Sequence, residues 1–287
     1  MEIRKVAVLG AGMMGGEIAL CCSLAGCEVM LKDVTLDLAV KGKERIGTVL
    51  DTQMKKGRIA LKPDEAAGRF DAIRPTDKYD GMEDVDLVIE AVIEKKEAKK
   101  NTFREIDPLC KEDCIFASNT SSILITDLSS SVSRPDRFIG THFFSPASIM
   151  KLVEVIPGIE TSEDTVKAAM SFLKTLGKEP IRIKECTGFV VNRILEAMII
   201  ESIRLVEEEV ATPGDIDQAM RLGCGHPIGP FQMLDLAGLD LNLEVMGILQ
   251  DAYGERFRPP LLLKRKVSAG HLGRKVKRGW YDYRGRK

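Results

Sequence analysis

The sequence predicts an α/β domain on a doubly wound, mostly parallel sheet over residues 1–185, then an all-α domain over residues 186–287. Three observations carry this. Short apolar runs alternate with helical stretches in the first part, the pattern of strands covered on both faces. A glycine-rich turn joins the first run to the first helix. Strand-like runs stop near Cys186.

In chain order, IRKVAVLG reads as a strand, MMGGEIALCCSLAG as a helix ending at Gly26, and EVMLKD as a second strand. Residues 36–57 are charged and helical in pattern, ending at Gly57. DLVIEAV, CIFASN, RFIGTHF, KLVEVI and PIRIK are further short strands, with helices near 96–109 and 163–176. Beyond them, GFVVNRILEAMIIESIRLVEEEV is one long helical stretch stopped near Thr212-Pro213. DIDQAMRLG, LDLAGLDLNLEVMGILQDAYG and PPLLLKRKVSAG also read as helices. No repeat or low-complexity linker interrupts the chain.

Bulk properties narrow the class. With 44% hydrophobic and 30% charged residues, the chain has the make-up of a soluble globular protein. Its net charge of −1 gives no whole-molecule field toward nucleic acid or anionic membrane. No apolar run approaches the roughly 20 residues that span a bilayer, and no secretory signal is visible at the start. Seven scattered cysteines without a CxxC pair suit reduced thiols in a cytoplasm better than disulfides or a metal site. From Leu261 to Lys287 the chain carries ten Lys or Arg and one Asp, which reads as a solvated surface rather than a polyanion site.

The glycines Gly10, Gly12 and Gly15 follow the first strand and open the first helix. A GxGxxG alone is weak, but this context is the one its mechanism requires. Gly10 permits the tight turn, Gly12 lets the backbone approach a pyrophosphate, and Gly15 lets the helix pack on the strand. The helix N-terminus then offers unpaired N–H groups to the phosphates. Asp33 ends the second strand, 18 residues beyond Gly15, where a carboxylate can accept from both ribose hydroxyls. It would repel a 2′-phosphate, so a Rossmann-type domain for NAD rather than NADP is expected. An incidental Asp beside a structural turn is the alternative.

Only three histidines are present. His142 follows the strand RFIGT, and Glu154 comes 12 residues later in KLVEVI. Oxidising an alcohol needs a base for the hydroxyl proton, and imidazole suits that task near neutral pH. A carboxylate on its far nitrogen would fix the tautomer and offset the imidazolium charge. Spacing alone does not show that the two meet, and a lone His among apolar residues is more often a core residue. His226 reads as a loop residue before a helix, and His271 lies in the basic tail.

These residues, with VAVLGAGMMGGEIA, DLVIEAVIEKKEAKK, IFASNTSSI, THFFSPASIMKLVEVIPG, CTGFVVNRIL, LVEEEVATPGDIDQAMRLGCGHPIGPFQMLDLAGLD and GRKVKRGWYDY, make the chain resemble the short-chain L-3-hydroxyacyl-CoA dehydrogenases end to end. Bacterial 3-hydroxybutyryl-CoA dehydrogenases belong to that group. The resemblance implies NAD-dependent oxidation of an acyl-CoA thioester, with His142 as general base and Glu154 as its partner. It implies that Ser121 and Asn192 bind substrate, that Glu94, Lys99 and Asn119 lie at the cofactor, and that Lys56, among the basic residues of 41–58, meets CoA. It further implies a homodimer formed through the helical part and a place in fatty-acid metabolism such as β-oxidation. Each residue has a plainer reading. Ser121 could cap a helix beginning near Ile123, Asn192 could sit on a helix surface, Glu94 and Lys99 could be a helix-start pair, and Lys56 could be solvated. One departure stands out: Ser145 occupies a place where many members carry Asn, and it keeps a hydroxyl but loses the amide's second group.

Two rival readings follow from the same residues. A dehydrogenase of a small non-CoA hydroxy acid would share the glycine turn and helical second domain, but would be expected to use a helix Lys as its catalytic group. A non-catalytic NAD-binding relative would share the fold, but has no reason to keep His142, Glu154, Ser121 and Asn192 together.

Overall fold

The computed structural model describes residues 2–285 and divides after Cys186 into two compact units. The first unit begins β1 (Lys5–Leu9), α1 (Met13–Leu24), β2 (Glu28–Lys32), α2 (Leu36–Lys55), α3 (Pro63–Asp71) and β3 (Ile73–Thr76). It continues β4 (Leu87–Glu90), α4 (Lys96–Ile106), β5 (Ile115–Ser118), α5 (Ile125–Ser129), β6 (Phe138–Phe143), β7 (Leu152–Pro157), α6 (Glu163–Thr175) and β8 (Glu179–Arg182). The eight strands form one sheet in the order β3-β2-β1-β4-β5-β6-β7-β8. Every pairing is parallel except β6 with β7.

Composition explains the order. The central strands β4, β5 and β6 are buried at every residue, as near-continuous apolar runs predict. The two edges each hold a proline, Pro75 in β3 and Pro180 in β8, where a missing N–H leaves no ladder bond unmade. The sequence reading did not assign β3 or α3, and it started α5 near Ile123, two residues early. The strand IRPT is four residues with a central Pro, and α5 is a single short turn of five. Helix starts follow local capping chemistry. Thr35 accepts from the Leu38 N–H ahead of α2, and Ser162 from Thr165 ahead of α6.

The second unit is helical: α7 (Val191–Glu207), α8 (Pro213–Cys224), α9 (Pro230–Ala237), α10 (Leu239–Tyr253) and α11 (Leu261–Ser268). The stretch read as one helix over 234–254 is broken at Gly238, whose φ of +109° lies outside helical space. Ile199, Ile200, Ile203, Phe231, Leu234 and Met246 lie in its core. Asp235 accepts from the backbone of Trp280 and Tyr281, which docks the basic tail's GWYDY segment onto α9.

Candidate active site

At the glycine turn, two of the three glycines are demanded by packing. A Cβ on Gly10 would sit 2.5 Å from Ala91 O, and one on Gly15 would sit 1.8 Å from Gly10 O. Gly12 differs, since a Cβ there would meet nothing within 4 Å. The first turn of α1 holds no acidic residue to oppose an anion. Asp33 reaches the same turn, its Oδ2 accepting from Ala11 N–H at 2.7 Å. Arg45 donates to Ala11 O at 2.6 Å, a contact that its place 12 residues past Asp33 did not reveal. The open face at Gly12, the helix N-terminus and the adjoining acid fit a dinucleotide.

β6 pairs with β7 so that His142 lies directly opposite Glu154. Cross-strand partners project from the same face of a sheet. His142 Nδ1 and Glu154 Oε2 are 2.8 Å apart, with Glu154 fully buried. A carboxylate at Nδ1 fixes the proton there and makes Nε2 the nitrogen that takes one up. The Phe144 ring centroid is 4.5 Å from the imidazole.

Beyond His142 the chain leaves the sheet in the loop 144–151, which is held from two sides. Lys178, buried, donates to Ala147 O and to Met150 O. Glu17 on α1 accepts from Ser148 N–H at 3.1 Å and from its hydroxyl at 3.4 Å. Ser145 is exposed in this loop, its Oγ 3.9 Å from Met13 Sδ at the start of α1. Neither Lys178 nor Glu17 was legible as a site residue, because their partners lie 28 to 131 positions away and most are backbone.

A second cluster gathers at the ends of β4 and β5. Glu90 and Lys99 form a buried ion pair at 2.6 Å, at 0% and 1% side-chain exposure. Ser118 Oγ donates to the other Glu90 oxygen, and Val92 N–H also reaches the carboxylate. Lys99 extends to Glu94 at 3.1 Å. Glu94 in turn accepts from the Thr120 hydroxyl, from Ser121 N–H at 2.8 Å and from Ser122 N–H at 3.2 Å. Burial pushes the Glu90 carboxyl up despite Lys99 and Ser118. Burial pushes Glu94 the same way, but the Lys99 charge and the bonds from Thr120 and Ser121 outweigh it and hold that carboxyl below its ordinary range.

Lys99 is enclosed, with Glu90 and Glu94 as its ion-pair partners. Thr120, not Ser121, turns its hydroxyl onto the chain ahead, accepting from Ile123 N–H at 3.0 Å. Ser121 Oγ lies 3.4 Å from Glu94, and α5 begins only at Ile125. Asn119 joins the two clusters. Its N–H donates to Glu90 O and its Oδ1 accepts from Phe143 N–H at 2.9 Å. Two further predicted residues lie on helices. Asn192 is half-buried in the first turn of α7, in the second unit, and Lys56 is exposed at the end of α2.

A phosphate-shaped turn beside a histidine backed by a carboxylate belongs to the dinucleotide-dependent dehydrogenases. Comparison with known proteins narrows this class. The NAD binding domain of 3-hydroxyacyl-CoA dehydrogenase matches residues 5–186, and the C-terminal domain of the same enzyme matches residues 188–283. The chain belongs to the 3-hydroxyacyl-CoA dehydrogenase family. It is 43% identical to 3-hydroxybutyryl-CoA dehydrogenase of Bradyrhizobium diazoefficiens, across 99% of this chain and 97% of that one. It is 38% identical to the mitochondrial hydroxyacyl-coenzyme A dehydrogenase of Sus scrofa, across 98% and 92%. The crystal structure of (S)-3-hydroxybutyryl-CoA dehydrogenase from Ralstonia eutropha is similar at a TM-score of 0.93 and 43% identity, over 98% of this chain and 99% of that chain.

Proposed function

We propose that the chain oxidises L-3-hydroxyacyl-CoA thioesters to 3-ketoacyl-CoA with NAD, and runs the reverse reduction, with His142 as base and Glu154 as its partner. The buried 2.8 Å pair of His142 and Glu154 carries this reading. The Gly10–Gly15 turn and Asp33 would hold NAD⁺, which would supply the acceptor for the hydride that leaves C3. His142 Nε2 takes the proton of the 3-hydroxyl as C3 becomes a carbonyl. Glu154 offsets the positive charge that the imidazole gains. Ser121, set in place by Glu94, donates to the C3 oxygen. Asn192 donates to the thioester carbonyl and so registers C3 for reaction. In the reverse direction the same steps run backwards, with His142 as the acid.

Lys56 is assigned to the CoA phosphates on its charge and exposure. The second unit exposes Ile194, Leu222, Leu236 and Leu241, which suits a homodimer face. The scattered cysteines, with no CxxC pair, suit a reducing cytoplasm.

The test is loss of NADH absorbance on adding acetoacetyl-CoA, with NADPH and free acetoacetate run beside it. Turnover confined to NADH and the CoA ester supports the reading. Turnover of free acetoacetate at the same rate would move the substrate class to small non-CoA acids.

A further inference from the structure

α2 passes close against the glycine turn of the first unit. A Cβ on Gly42 would sit 2.6 Å from Ala11 Cβ and 2.7 Å from Ala11 O, so a side chain there would push the helix away. Arg45 lies three residues beyond Gly42, on the same face of α2. The close approach lets its Nη2 reach Ala11 O at 2.6 Å. Its neighbours on the helix turn to other partners. Lys41 pairs with Asp37 at 2.8 Å, and Lys43 lies over the Phe70 ring. Arg45 is itself exposed, so core packing does not account for a long cation laid onto this one carbonyl.

The Ala11 carbonyl belongs to the same peptide as the Gly12 N–H. In a trans peptide the two point in opposite directions. The peptide before it is held as well, since Asp33 accepts from Ala11 N–H at 2.7 Å. Side chains therefore fix the backbone on both sides of Ala11. We propose that Arg45 is a positioning residue for the cofactor, whose bond to Ala11 O turns the Gly12 N–H away from α2 and toward the dinucleotide pyrophosphate. A cation on the carbonyl also polarises the peptide, which makes its N–H a stronger donor. The same positive charge adds to that of the α1 N-terminus, where no acidic residue opposes it. The proposal rests on the reading of the glycine turn as the NAD site, and adds to it a residue from a different helix.

The experiment measures Kd for NADH by fluorescence, and for ADP-ribose and adenosine by competition with NADH, in the wild type and in Arg45→Met. Arg45→Met is expected to bind NADH and ADP-ribose about tenfold more weakly. Adenosine, which carries no phosphate, is expected to bind both proteins equally. In turnover of acetoacetyl-CoA the loss falls on KM for NADH rather than on kcat. Melting curves establish that the variant is folded, as an exposed position predicts. Unchanged NADH affinity in folded Arg45→Met, or a loss that extends equally to adenosine, overturns the role of Arg45 while the cofactor site stands. Wild-type protein that binds neither NADH nor ADP-ribose overturns the reading of the glycine turn instead.

Discussion

His142 and Glu154 face each other across the antiparallel β6–β7 pair, joined Nδ1 to Oε2 at 2.8 Å. The contact is a matter of strand register. A slip of one residue would turn Glu154 to the other face and bring Val153 or Val155 opposite the imidazole. The loop 144–151 sets that register, and Lys178 and Glu17 hold the loop.

Glu154→Gln keeps an acceptor for Nδ1–H but removes the charge that offsets the imidazolium. We expect kcat to fall by about 10²-fold, within the range for support of a general base, with NADH affinity unchanged. Steady-state kinetics and a fluorescence titration with NADH check this. An unchanged kcat would remove Glu154 from the reaction.

The glycine turn separates folding from binding. Gly15→Ala places a Cβ 1.8 Å from Gly10 O, so backbone must move, and a large drop in melting temperature is expected. Gly12→Ala meets nothing within 4 Å in the protein. It should melt like the wild type while weakening NADH binding by about tenfold or more. Gly12→Ala binding NADH normally would mean that the pyrophosphate does not lie there.

Lys99→Met leaves Glu90 without its buried cation. The expected loss is about 3–5 kcal/mol in denaturant unfolding, the usual result of breaking a buried pair on one side. Glu94 also loses its main positive neighbour, so its carboxyl should shift upward and Ser121 should be held less firmly. An equal kcat in the folded variant would show that Glu94 places Ser121 without help from Lys99.

Glu196, buried on α7, makes stability depend on pH in a direction that can be stated. Its carboxyl loses its proton near 4.5 in the unfolded chain and near about 8 in the folded one. Between these values the unfolded state binds fewer protons, so this group's contribution is full below 4.5 and is lost as pH rises through about 8. The expected fall is a few kcal/mol, and Glu196→Gln should flatten it. Urea midpoints from pH 4.5 to pH 9 measure the slope, and a variant curve parallel to the wild type would contradict it.

Sequence made the central strands legible because a strand buried on both faces is nearly all apolar. β3 escaped because it is four residues long, too short for a period to register, and α5, at five residues, was legible only as a helix start near Ile123. The glycine turn and Asp33 were readable through the strand–turn–helix that contains them. His142 and Glu154 were readable as chemistry, but their contact depends on a register that spacing does not fix. Glu90, Thr120, Glu17 and Lys178 were not readable at all. Each matters only through a partner brought near by the sheet, and nothing local in the sequence distinguishes a buried Glu or Lys from a solvated one.

The most direct measurement is a single turnover. Enzyme loaded with NADH is mixed rapidly with excess acetoacetyl-CoA, and NADH absorbance is followed for the wild type and for His142→Gln. The account predicts a fast loss in the wild type and a rate at least about 10²-fold slower in the variant, with NADH bound equally well by both. Equal rates in the two proteins would contradict the assignment of His142 as the proton-transferring group.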